Sequence, residues 1–118
     1  MEADIVEATG KKNDNGKPPI DLVPTGIIRG IARVLAHGAE KYGRHNWRGG
    51  LACSRLYAAM QRHLMAWLDN ADLDEDSGLQ HLDHAACELA FLIDTLKTRP
   101  DLDDRYKPDF TNTTRGGK

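Results

Sequence analysis

The stretch Ser77–Asp94, "SGLQHLDHAACELAFLID", decides how this chain is read. Leu82, Ala85, Ala86, Leu89, Leu92 and Ile93, continued by Leu96, recur at the spacing of one helix face and predict a core-facing stripe. Ser77 followed by Gln80 has the form of a capping box, so the helix is expected to begin there. The remaining surface divides in two. His81, His84 and Glu88 share a stripe with Phe91 and Thr95, while Asp83, Cys87 and Asp94 form another. A large aromatic within the histidine stripe argues that this face meets another helix, a second subunit or a ligand.

Immediately before this helix, "DNADLDEDSG" gathers Asp72, Asp74, Glu75 and Asp76. Negative charge is tolerated near a helix N-terminus, which is one reading of the cluster. Mutual repulsion relieved by a divalent cation is the other, and such oxygen donors suit Mg²⁺, Mn²⁺ or Ca²⁺. Asp72-x-Asp74-x-Asp76 imitates an EF-hand loop, but the turn glycine arrives one residue late, at Gly78, and a calcium loop is not expected.

Two further helices precede the acidic loop. Ile27, Ile28, Ile31, Val34 and Leu35 mark one over Thr25–Tyr42, with Thr25 as its expected cap and Gly43 as its stop. Leu56, Tyr57, Met60, Leu64 and Trp67 mark the next over Ser54–Leu68, with His63 inside the apolar stripe. A lone histidine there reads first as a hydrogen-bonded core residue. The segment before Pro24 is rich in proline, asparagine and lysine and is expected to be extended; Pro100 closes the last helix. No strand alternation is visible. The expected architecture is all-α: an arm over 1–24, a three-helix domain over 25–99, and a flexible C-terminal tail over 100–118.

A chain of 118 residues suits one domain, and its net charge of −2 leaves no electrostatic footprint for nucleic acid. No apolar run is long enough to span a membrane, and the N-terminus lacks the pattern of a signal peptide, so a cytoplasmic protein is expected. Cys53 and Cys87 are too few for a disulfide framework and read as reduced thiols. Lys11, Lys12, Lys17, Lys41, Arg44, Arg48 and Arg62 supply cations that, with an oxygen-bound metal, would suit a polyphosphate. Trp47 and Tyr42 are candidates to stack on a base, although core packing is the commoner use of either. His37 and Glu40 stand three apart on the first helix, more often the spacing of a surface contact. There is no P-loop.

Taken in order, "KNDNGKPPIDLVP", "HGAEKYGRHNWRGG", "SRLYAAMQRHLMAWL" and "ADLDEDSGLQHLDHAACELAFL" resemble the dATP/dGTP diphosphohydrolase N-terminal-domain family of phages and prophages, relatives of the MazG-like all-α pyrophosphohydrolases. The resemblance implies a Mg²⁺- or Mn²⁺-dependent cleavage of purine deoxynucleoside triphosphates to monophosphate and pyrophosphate, in a homo-oligomer (dimer or tetramer) of the host cytoplasm. It points to Asp76, Glu40 and His84 for catalysis, and to Asp74, Asp76, Glu40, His84 and Glu88 for the metal. Lys17, Lys41 and Arg62 would take phosphates, and Trp47, Tyr42 and Asn46 the base. Asp14, His63, Asp72 and His81 would support them. The acidic quartet of the MazG-like enzymes is not reproduced: the first pair here reads His37-x-x-Glu40, and Phe91 follows Glu88 by three. The alternatives are a non-catalytic nucleotide-binding module and a helical protein-interaction module.

Overall fold

The computed structural model describes residues 7–108 and contains three α-helices: α1 (Thr25–Tyr42), α2 (Cys53–Leu68) and α3 (His81–Thr98). Short 3-10 turns at Ile20–Leu22, Asn46–Gly49 and Pro100–Leu102 punctuate the connections. The all-α expectation holds: the described residues contain no strand, only an isolated antiparallel bridge between Leu73 and Gln80. α3 is the central element, packing against both α2 and α1. No helix among the described residues is long and apolar enough to cross a membrane.

The helix ends follow local chemistry, with three corrections. α1 stops at Gly43, whose φ of 96° is costly for a residue with a Cβ and whose amide donates to the Ala39 carbonyl. Its cap is Pro24 rather than Thr25; the Thr25 hydroxyl instead accepts a hydrogen bond from Arg29. α2 begins one residue earlier than expected, at Cys53, because Asp104 reaches back and its carboxylate accepts the Ser54 amide at 2.8 Å. The chain after Pro100 therefore turns back onto the start of α2. The stretch 109–118, expected to fray, lies outside the described residues, as do residues 1–6. α2 ends in a Schellman motif: the Ala71 amide bonds the Ala66 carbonyl and the Asn70 amide the Trp67 carbonyl, with Asn70 at φ 72°.

The third correction concerns the capping box. α3 starts at His81, with Gln80 as its N-cap and no side-chain capping bond. Ser77 belongs to the acidic loop, which doubles back on itself: Asp74 N–H donates to Leu79 O, Gly78 N–H to Asp74 O, and His81 N–H to Asp72 O, each at 2.8 Å. The loop's own backbone bonds outcompete helix extension through Ser77. Gly78 makes the reversal possible with φ at 73°.

The core is small, and on α3 it matches the face that the periodicity predicts only in part, at Ala85. Cys53, Leu56, Ala85 and Cys87 are the buried apolar residues, with His81 and Thr95 buried beside them. Leu82, Leu89, Ile93 and Leu96 are exposed, Ile93 by half. The stripe that turns inward carries His81, Ala85 and Thr95, and Phe91 stacks on Trp47 at 4.4 Å between ring centroids. Cys87, expected on a non-core face, is the most buried side chain. α1 approaches α3 at Gly30, which is buried against the Asp83 carboxylate; Asp83 is thus half-buried between helices.

A Cβ at Gly30 would collide with Asp83. Gly30→Ala is expected to lower stability by about 1–2 kcal/mol despite the better helix propensity of alanine, because the steric cost exceeds the gain of about 1 kcal/mol. Thermal unfolding followed by circular dichroism checks it, and an unchanged or raised Tm would show that the two helices separate readily.

Candidate active site

A cavity of about 580 Å³ opens where α1, the loop after it, the acidic loop and α3 converge. Its walls carry cations from three segments: Lys41 on α1, Arg44 in the loop and Arg55 on α2. Asp74, Asp76 and Glu88 face them, together with His37, His63 and His84. Tyr42, Asn46, Trp47 and Phe91 supply the remaining polar and aromatic lining.

The acidic loop is tied to this cavity by a chain of polar contacts. The Ser77 amide donates to Asp74 Oδ2 at 2.9 Å, and the Leu79 amide donates to Ser77 Oγ at 3.1 Å. That leaves the Ser77 hydroxyl proton for His84 Nε2, 2.7 Å away. Burial lowers the pKa of His84, against the nearby Asp74 charge, so the neutral ring that accepts such a bond is the favoured form. His84 stacks on His63 with centroids 4.5 Å apart and planes within 8°. His63 in turn meets His81, Nδ1 to Nδ1, at 2.9 Å. Burial, reinforced by the two neighbouring histidines, also pulls His63 below the ordinary histidine value. For Asp74 burial acts the other way, but hydrogen bonding from Ser77 and the adjacent imidazoles outweigh it and keep the carboxylate ionised.

At the cavity mouth Lys41 Nζ lies 2.8 Å from Asp76 Oδ2, and each group favours the charged form of the other. His37 Nε2 stands 3.7 Å from the same oxygen and is buried without a hydrogen-bond partner. Deeper in, burial raises the pKa of Glu88, opposed by Arg62. Cys87 lies beside it, its thiol pushed up to about 12 by burial and inert at neutral pH.

Several residues singled out in the sequence meet here: Lys41, Tyr42, Asn46, Trp47, His63, Asp74, Asp76, His84 and Glu88 all line one cavity. Others do not line it. Asp14 and Lys17 sit together in a turn of the exposed arm, Glu40 and Arg62 are exposed, and the Asp72 carbonyl receives the His81 amide. His81 stands behind the wall, 9% exposed. Trp47 is engaged by Phe91 and by the Arg48 guanidinium, 4.6 Å from its ring centre. Two polar lining residues, His37 and Arg55, were given no role at the site from the sequence. His37 lies one helical turn before Lys41, a legible spacing; Arg55 had no signal at all.

Among the described residues, His63, Asp74 and His81 bring one ligand atom each within 4.8 Å of one another, an arrangement able to hold a metal ion. Of the metal ligands expected from the resemblance, only Asp74 belongs to it; Asp76, Glu40, His84 and Glu88 do not. Two imidazoles and one carboxylate form a mixed nitrogen and oxygen set, not the oxygen-rich shell expected from the acidic loop.

The comparisons with known proteins agree with the motif order. A dATP/dGTP diphosphohydrolase of Salmonella phage PMBT28 is 44% identical over 97 residues, which cover 82% of this chain and 33% of that protein. The chain thus spans about a third of the length of this relative. No solved structure matches it significantly. The family described as dATP/dGTP diphosphohydrolase, N-terminal, matches residues 7–105, and the chain belongs to that family.

Proposed function

We propose that the cavity binds a purine deoxynucleoside triphosphate, dATP or dGTP, and cleaves it to the monophosphate and pyrophosphate. The observation that carries this reading is the meeting of Lys41, Arg44 and Arg55 with the acidic loop in one cavity of about 580 Å³. That volume lies within the usual range for small-molecule sites, roughly 300–1,000 Å³. The activity named for the phage relative supports the choice of substrate.

The three cations take the triphosphate oxygens, and Lys41 exchanges Asp76 for phosphate as the substrate enters. Tyr42, 67% exposed and lining the cavity with Asn46, is better placed than Trp47 to stack on the purine, since the Trp47 ring is already engaged by Phe91 and Arg48. Asp74 would help to hold a divalent ion, which would supply charge neutralisation at the phosphates and a more acidic water. Water attacks the α-phosphorus, its bond to the bridging oxygen breaks, and pyrophosphate leaves. Glu88 accepts the proton of that water, a role suited by a carboxyl whose pKa burial has raised. Ser77 and His84 position Asp74 and do not touch the substrate.

A second copy of the chain covers the apolar stripe that α3 leaves exposed. Leu89 and Ile93 on α3, Ile28 on α1 and Met65 on α2 are each more than two-fifths exposed, which a stable helical domain in isolation rarely tolerates.

Pyrophosphate release from dGTP and dATP, assayed with Mg²⁺ or Mn²⁺ and abolished by EDTA, tests the activity; release from neither substrate would overturn it. Glu88→Gln is expected to lower kcat by about 10²-fold or more. Because a base must be deprotonated, activity should fall as pH drops through a pKa above the ordinary carboxylate range, and Glu88→Gln should remove that limb. In light scattering coupled to size exclusion, the chain should elute as an oligomer and Ile93→Glu as a monomer. A monomeric parent chain would refute the second-copy assignment.

A further inference from the structure

The hydrogen-bonded apposition of His63 and His81 has a spacing that also suits two ligands of one ion. Their Nδ1 atoms lie 2.9 Å apart. Two nitrogens bound to one ion at about 2.1 Å and at right angles to each other are separated by about 3.0 Å. The pair therefore already stands at the edge length of a coordination polyhedron. Asp74 completes a third corner: its Oδ2 is occupied by the Ser77 amide, while its Oδ1 accepts no hydrogen bond among the described residues.

The three donors are carried by elements with little freedom. His63 is mid-helix on α2, His81 is the first residue of α3, and Asp74 adjoins the Leu73–Gln80 bridge. Behind them, His84 stacks flat on His63 while Ser77 holds both His84 and Asp74. The Ser77 bond fixes the Asp74 carboxylate, as outer hydrogen-bond partners do for metal-binding carboxylates. His63 and Asp74 also line the cavity, so an ion held here faces it, with three protein ligands and further positions left for solvent or a phosphate oxygen.

We infer that His63, His81 and Asp74 form a binding site for a first-row transition-metal ion, of the Mn²⁺ to Zn²⁺ class, and that this site discriminates against Mg²⁺. Mg²⁺ demands oxygen ligands in near-ideal octahedral order and keeps much of its water; two imidazoles offer neither. The inference deepens the hydrolase reading and rests on it only for the use made of the ion, not for the binding.

Binding is measured without nucleotide. EDTA-stripped protein is titrated with Co²⁺, following its visible absorption bands, and then challenged with excess Mg²⁺. The expected result is one Co²⁺ per chain that Mg²⁺ does not displace, with His63→Gln and His81→Gln each weakening uptake at least about tenfold. Because His81 is buried and its variant could misfold, the unaltered protein loaded with Mn²⁺ provides a second readout. Pulsed EPR should then show ¹⁴N couplings from imidazole. No Co²⁺ uptake, ready displacement by Mg²⁺, or Mn²⁺ without nitrogen coupling would each overturn the site. Hydrolysis of dGTP with Mg²⁺ in protein that takes up no Co²⁺ would overturn this inference alone. Co²⁺ uptake with nitrogen coupling but no hydrolysis would leave the metal site standing and remove the hydrolase reading.

Discussion

Two imidazoles meeting nitrogen to nitrogen across α2 and α3 set the arrangement on which the rest of the structure depends. His81 is the first residue of α3, so its contact with His63 determines where that helix begins against α2. A part-buried polar pair of this kind is costly unless satisfied, and satisfaction requires one relative position of the helices. His84 adds a parallel stack one turn later, and Ser77 ties the stack to the acidic loop. Register, loop conformation and the placement of Asp74 are therefore consequences of a single polar seam.

The seam also explains why the core is so small. Turning His81, Phe91 and Thr95 inward rotates α3 so that Leu82, Leu89, Ile93 and Leu96 point away from the other helices of the same chain. An apolar stripe of that length is normally the core face of a helix. Here it is surplus to the fold of one chain, and the polar stripe takes the place beside α2. The opposite flank shows the same economy of contact: α1 reaches α3 closely at Gly30, where only the lack of a side chain admits the Asp83 carboxylate.

Between these two contacts α1 and α2 stand apart, and the gap is the cavity. Its charge is divided by origin: Lys41, Arg44 and Arg55 come from three segments, while the acidic loop contributes Asp74 and Asp76. Asp74 is locked by Ser77, but Asp76 is exposed and held at the mouth by Lys41, with His37 beside it. One carboxylate is thus structural in its fixity and the other exchangeable, although four residues of one loop look alike on paper. Glu88 differs from both, since burial rather than a partner governs its protonation.

The helical class, the presence of three helices and the span of α1 were legible in the sequence, because apolar periodicity and glycine stops act locally; so was the family, through the order of its motifs. The clustering of Lys41, Asn46, Trp47, Asp74 and His84 was legible through the same motifs. What the local pattern did not carry was which stripe of α3 turns inward. Periodicity ranks faces by hydrophobicity and has no knowledge of a histidine waiting on α2, so it chose Leu89 and Ile93 over His81 and Thr95. The same blindness made Ser77 a helix cap, although the loop's own backbone bonds and His84 claim it. It also set His63 and His81 apart, eighteen residues from each other, when only packing makes them neighbours. The sequence alone determined the helices and their kinship; tertiary structure decided which faces meet, because that choice depends on partners distant along the chain.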